Sequence, residues 1–133
     1  MNVIASVAIF SGAGCGALFR WALGHALNPL FPTLPLGTLA ANVLGGLAMG
    51  LVLGASTHYE ALSPATRLAL TTGFLGGLTT FSTFSAESVT LLLRGEYRWM
   101  CIHAALHVGA SLLATLAGMT LVRGVLETLG GSP

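Results

Sequence analysis

Apolar positions in this chain run in four long blocks separated by stretches that carry charged residues or prolines. The blocks are Asn2 to Phe19 with a continuation to about Leu27, Leu36 to Ala55, Leu68 to Ala86, and Trp99 to Val122. About 20 apolar residues cross a bilayer as a helix, so each block meets or approaches the length of one span. The pattern predicts an all-α integral membrane protein with four transmembrane helices at about 2–27, 36–56, 64–93 and 97–126, forming one domain over 1–133. The connections agree with this division. Asn28-Pro29 and Pro32-Thr33-Leu34-Pro35 cannot continue a helix. Ser63-Pro64 supplies an N-cap followed by proline at the first helical position. Arg94-Gly95-Glu96 is the shortest link, which makes the third and fourth helices antiparallel neighbours.

The third block departs from a plain span in Gly73-Phe-Leu-Gly-Gly-Leu-Thr-Thr-Phe-Ser-Thr-Phe-Ser85. Glycines at 73, 76 and 77 are followed by Thr79, Thr80, Ser82, Thr83 and Ser85, interleaved with Phe81 and Phe84. A helix built only to sit in lipid would carry Leu, Ile and Val here. Glycines at mid-membrane depth predict a break near 76–79, tolerated only where protein or water satisfies the freed backbone groups. Transporters and channels place ion sites at such breaks.

Composition narrows the class. With 54% hydrophobic and 7% charged residues, and neither lysine nor aspartate, an ordinary soluble domain is excluded. A formal net charge of +1 gives no reason to expect a nucleic-acid partner. The N-terminus has no basic n-region, so it reads as a span rather than a signal peptide. No nucleophile–base pair, metal cluster or phosphate loop is visible, and the chain is not expected to be an enzyme. Cys15 and Cys101 fall in different spans without metal-ligand spacing and are expected to be buried free thiols. The loop arginines balance, Arg67 and Arg123 on one side against Arg94 and Arg98 on the other, so the positive-inside rule has little to act on. Such a chain can insert both ways, and two inverted copies can close about a two-fold axis in the membrane plane. A single orientation set by Arg20 is the alternative.

Two polar stripes run at intervals of four: Thr38, Asn42, Gly46, Gly50 and Gly54 in the second block, and His103, His107, Ser111 and Thr115 in the fourth. Gly46, Gly50 and Gly54 read as close helix packing, as do the pairs Gly12/Gly16 and Gly73/Gly77. An amide inside a membrane is costly unless paired, so Asn42 either bonds a neighbouring helix or faces a polar path. The spacing of His103 and His107 suits a metal, but no third ligand is identifiable near them. Ser111 and Thr115 either form a polar track or return hydrogen bonds to the preceding turn. Arg20 is an interfacial snorkelling residue or an anion-attracting group, and Glu87 a helix-end carboxylate or a charge-managing group in a path. Phe81 and Phe84 pack into lipid or core, or turn their positive ring edges to an anion.

The run from Gly73 to Glu87, with Gly37-Thr38-Leu39-Ala40-Ala41-Asn42-Val43-Leu44-Gly45 and Gly16-Ala-Leu-Phe-Arg20-Trp-Ala-Leu-Gly24, closely resembles the Fluc (CrcB-type) fluoride channels. The likeness covers all four spans. It implies a fluoride-specific channel for passive, electrogenic efflux from the cytoplasm across the cell inner membrane, built as an antiparallel dual-topology homodimer. It implies a pore lined by Asn42, Phe81 and Phe84, with Thr38, Ser82, Thr83 and Glu87 along the path. Arg20 would stand at the vestibule, and His107, Ser111 and Thr115 in a polar track. It also implies a structural, non-transported Na+ at the dimer centre, held by the backbone carbonyls of Gly76 and Thr79. This chain has His107 where compared family members carry a tyrosine ahead of Gly-Ala-Ser, and an imidazole that titrates near neutral pH would make the track pH-dependent. The competing expectation is a proton-coupled transporter of the small multidrug type using Glu87. Those proteins usually carry their membrane glutamate in the first helix, where this chain has Arg20.

Overall fold

The computed structural model describes residues 3–55, 60 and 62–130, and its described residues form helices and short loops without a strand. The expected helix limits at Asn2 and 56 lie outside the described residues. Helix α1 (Val3–Leu27) runs into a 3-10 turn (Asn28–Leu30), and α2 spans Leu36–Gly54. The third block is built in pieces: α3 (Pro64–Leu68), a π-helical stretch (Ala69–Leu75), α4 (Gly76–Leu78) and α5 (Phe81–Leu93). Helix α6 (Tyr97–Gly130) runs past the limit expected at 126, because nothing between Arg123 and Gly130 breaks a helix as proline would. Among the described residues, α1 with its 3-10 turn, α2 and α6 are each long and apolar enough to cross a membrane.

Local chemistry fixes the ends. Asn28 Oδ1 accepts the Gly37 N–H at 2.8 Å, taking up an otherwise unpaired donor of the first turn of α2. Ser63 Oγ accepts the Thr66 N–H at 3.2 Å, with Pro64 opening α3. Gly95 takes φ 72°, and the Glu96 N–H closes on the Leu91 carbonyl at 2.9 Å, which reverses the chain between α5 and α6.

Helix α2 packs along α6, and α1 packs on the π-helical stretch and α4. Both contacts depend on glycine. A Cβ at Gly50 would collide with the Thr115 carbonyl, and one at Gly16 with the Phe74 carbonyl, so the helices touch backbone to backbone. The buried hydrophobic core is small, with Ala41, Leu75, Leu78 and Leu91 at its centre. Large side chains such as Phe10, Trp21, Leu93 and Leu129 face outward, as expected of a chain whose solvent is lipid. Cys15 and Cys101 are also exposed, contrary to the expected burial. They sit on outward faces, so any apolar cover comes from lipid or another chain and not from this one's own packing.

Gly50→Val is expected to destabilise the protein by about 1–3 kcal/mol, since the collision is with backbone that cannot turn aside. Gly124→Ala, whose Cβ would meet nothing within 4 Å, should hold or raise stability, by up to about 1 kcal/mol. Thermal unfolding of the two variants in detergent checks the contrast.

Candidate functional site

Thr79 (φ −77°, ψ 154°) and Thr80 (φ −149°, ψ 114°) are extended and separate α4 from α5. The Thr80 N–H donates to Asn42 Oδ1 at 2.7 Å, and Asn42 Nδ2 donates back to the Thr80 carbonyl at 3.1 Å. Asn42 is thus paired to a neighbouring helix by the broken backbone itself. Its Nδ2 also lies 3.1 Å from His107 Nδ1. Because Thr80 fixes which way the amide points, His107 Nδ1 is the acceptor, and the neutral ring carries its proton on Nε2. That Nε2 is buried and has no partner among the described residues.

The break also releases two carbonyls. In an unbroken helix the Gly76 carbonyl would accept the Thr80 N–H and the Thr79 carbonyl the Thr83 N–H. The first N–H goes instead to Asn42 Oδ1, and the second to Thr80 Oγ1 at 3.1 Å, where Thr80 caps α5. Neutral carbonyl oxygens freed in this way are suitable donors for a hard cation.

A second network lies on α5 and α6. Thr38 Oγ1 donates to Glu87 Oε1 at 2.6 Å, and Glu87 Oε2 is 3.1 Å from Nε2 of the fully buried His103. His103 Nδ1 is 3.1 Å from Ser88 Oγ, whose hydroxyl donates to the Phe84 carbonyl at 2.9 Å. The Phe84 ring stacks on His103 (centroids 5.2 Å apart, 16° between planes) and leans on His107 (4.9 Å, 33°). Phe81 touches Phe84 at 5.6 Å and is 78% exposed, so its other side is open to whatever lies outside this chain.

Two cavities flank the break. One of about 470 Å³ is bordered by Asn42, Gly76, Thr79, Phe81, Phe84, His107, Ser111 and Thr115. The other, about 450 Å³, is bordered by Arg20, Thr38 and Thr83. Thr80 borders both. Arg20 is half-buried and makes no ion pair among the described residues. Ser82 borders neither cavity, and its Oγ lies 3.4 Å from Thr80 Oγ1. Thr115 Oγ1 returns a hydrogen bond to the Ser111 carbonyl at 2.9 Å, while Ser111 Oγ is buried without a partner.

Sequence reasoning missed the π-helical stretch, Ser88, and the place of His103 beside Glu87. It also found no third ligand for the two histidines. Glu87 is placed to offer one: Glu87, His103 and His107 each bring a possible ligand atom within 4.8 Å of the others. The only local signal was that His103 sits one turn ahead of His107.

Comparison with known proteins adds an independent line. Residues 7–119 match the family described as CrcB-like protein, Camphor Resistance (CrcB). A fluoride-specific ion channel FluC of Aromatoleum aromaticum is 57% identical over 117 residues, covering 88% of this chain and 89% of that protein. The protein of the same name from Nitrosospira multiformis is 54% identical over 123 residues, covering 92% and 96%. That of Burkholderia vietnamiensis is 54% identical over 113 residues, covering 85% and 88%.

Asn42→Ala strands the Thr80 N–H and carbonyl, and a buried unsatisfied group costs about 1–3 kcal/mol. A loss of about 2 kcal/mol is therefore expected, with Asn42→Asp intermediate because it keeps the acceptor for Thr80. Unfolding in detergent measures both. Unchanged stability in Asn42→Ala would mean that the Thr80 backbone finds other partners.

Proposed function

This chain belongs to the CrcB-like protein family, and we propose on that footing that it is a fluoride-specific ion channel giving passive, electrogenic efflux of fluoride from the cytoplasm. The observation that carries this reading is the break at Thr79–Thr80, clamped by Asn42 and bordered on both sides by a cavity. Relatives that are more than half identical over most of both chains bear the name of fluoride channels, which supports the choice of ion.

The chemistry is that of a small, hard anion exchanging water for fixed donors. In the cavity bordered by Arg20, that residue supplies positive charge and Thr83 a hydroxyl donor, while the hydroxyls of Thr38 and Thr80 are given to Glu87 and Thr83. Beyond the break, the edges of Phe81 and Phe84 offer partial positive charge without a full charge to trap the ion. His107 Nε2–H and the Ser111 hydroxyl, both buried and unpaired, supply donors at the cavity lined by those rings. Buried donors without partners are costly, and a passing anion offsets that cost. Ser82, exposed at the start of α5, and Glu87, beside Thr38, belong to the path as its outer hydroxyl and its charge-managing carboxylate.

In this reading the third block serves as a fourth span of the cell inner membrane, and two inverted copies form an antiparallel dual-topology homodimer. Structural sodium at the dimer centre would bind the Gly76 and Thr79 carbonyls, whose release from helical bonding supports the assignment. It would contribute a fixed positive charge near the path.

Liposomes holding only the purified protein should lose fluoride rapidly when valinomycin balances the charge, and should retain chloride. Phe81→Ile and Phe84→Ile should each cut this flux by at least about tenfold, roughly 1.4 kcal/mol of barrier. Intact flux in both would remove the ring-edge step. The Glu87–His103 contact favours proton coupling as a second reading. Glu87→Gln separates the two, since a coupled transporter loses pumping whereas a channel keeps a reduced downhill flux. For sodium, an ion at 100 times its dissociation constant adds about 2.7 kcal/mol to stability. The protein should therefore melt at a higher temperature in sodium than in N-methylglucamine buffer, and identical melting curves would remove sodium from the mechanism.

A further inference from the structure

We propose that Glu87, His103 and His107 form a binding site for a divalent transition-metal ion of the zinc type, whose occupancy opposes passage through the chain. Two imidazoles and a carboxylate, with a fourth position left for water or an anion, make a donor set of the kind zinc takes. With bonds of about 2.0–2.1 Å, tetrahedral ligands stand about 3.3 Å from one another. Glu87 Oε2 and His103 Nε2 are already 3.1 Å apart, and Glu87, His103 and His107 each offer a ligand atom within 4.8 Å of those of the other two. His103 is fully buried and His107 is 5% exposed, so the imidazoles are held by packing.

The second observation is the buried His107 Nε2, which has no partner among the described residues, and the hydrogen bonding around His103 accommodates a cation. Ser88 Oγ lies within hydrogen-bond distance of both the Phe84 carbonyl and His103 Nδ1, and with its one hydrogen on the carbonyl it accepts from His103 Nδ1–H. A neutral His103 then turns the lone pair of Nε2 toward a carboxylate oxygen. In that arrangement two acceptors face each other at 3.1 Å, and a cation between them, a proton or a metal ion, joins them. The surroundings match the usual support of metal ligands. The Nδ1–H of His103 is fixed by Ser88, and the other oxygen of Glu87 is fixed by Thr38.

His107 decides the consequence. Its Nδ1 lone pair is now shared with the Asn42 amide, and its Nε2 is buried without a partner. A metal bound at Nδ1 takes that lone pair. A metal bound at Nε2 moves the ring proton to Nδ1, where it faces the Asn42 N–H. By either nitrogen the metal and the Asn42–His107 bond exclude one another. Loading the site therefore disturbs the amide that clamps the break. This ion is distinct from sodium, whose proposed donors are carbonyl oxygens alone.

The test uses tag-free, full-length protein in detergent, carrying Cys15→Ser and Cys101→Ser to remove the thiols. Cobalt(II) is titrated in and its visible ligand-field absorption followed, with zinc added to displace it. Saturable binding of one ion per chain is expected, weakened at least about tenfold by Glu87→Gln and by His103→Gln. Ser88→Ala, which leaves all three ligands in place, should weaken it by about tenfold through loss of the Nδ1 anchor. His25→Gln should leave it unchanged. Absence of saturable absorption in the unsubstituted cluster would overturn the proposal even if the variants fail to fold. Binding that survives both Glu87→Gln and His103→Gln would overturn it as well. The spectrum is read without any flux, so its failure leaves the fluoride reading standing, and failed flux leaves the metal site standing. Only the companion expectation, that zinc slows fluoride efflux from liposomes, rests on the fluoride reading.

Discussion

The structure depends on one exchange of hydrogen bonds, that between the Asn42 side chain and the Thr80 backbone. A helix broken in an apolar medium leaves donors and acceptors that water cannot reach, and each costs several kilocalories if it stays unpaired. One amide answers one donor and one acceptor of the same residue. The break can then hold a fixed geometry, with two extended residues and a capped restart at Phe81. The same amide reaches His107, so the conformation of the break and the tautomer of a ring on α6 are set together.

That exchange requires α2 to lie close to the break, where Gly45 meets Thr79, and its reach to His107 requires α2 close to α6; glycine permits both. Gly46, Gly50 and Gly54 lie against the backbone of α6 around Ser111, Thr115 and Met119. On the other side, Gly12 and Gly16 let α1 approach the backbone of the π-helical stretch and α4. Helix association without a hydrophobic driving force relies on such packing. The broken segment is therefore held between two tight helix contacts, and the outward faces remain apolar.

Much of this could be read in the sequence because its signals are local. Three glycines followed by hydroxyl residues announce a break, Ser63-Pro64 a helix start, and intervals of four a packed face. Asn42 was left between pairing and lining a path, and the structure shows the pairing: the amide clamps Thr80 while also bordering a cavity. What could not be read depends on three-dimensional juxtaposition. Glu87 and His103 sit on opposite arms of the α5–α6 hairpin, and only the turn at Gly95 brings them together. Ser88 gives no sign in the sequence of where its hydrogen will go. The π-helical stretch has no side-chain signature, since it arises where the glycines at 73 and 77 settle against α1. The exposed cysteines were misread for a related reason: apolar context in a membrane chain says nothing about which neighbour provides the cover.

The two polar networks are joined mechanically as well as by proximity. Thr38 and Asn42 are one turn apart on α2, and they hold Glu87 and Thr80 respectively. Glu87 rides on α5, whose N-terminal cap is Thr80, so both bonds grip the same short helix at points two turns apart. On the far side Phe84, also on α5, is stacked against His103 and His107. A rotation of α5 that released Glu87 from Thr38 would therefore drag the Phe84 ring across both imidazoles and pull on the Asn42 clamp. A rigid α5 keeps its polar groups at fixed positions, and in the proposed channel such preorganised donors need no rearrangement when an ion arrives. The cost is that a perturbation at any one of Thr38, Asn42 or His103 reaches the other two through a single helix.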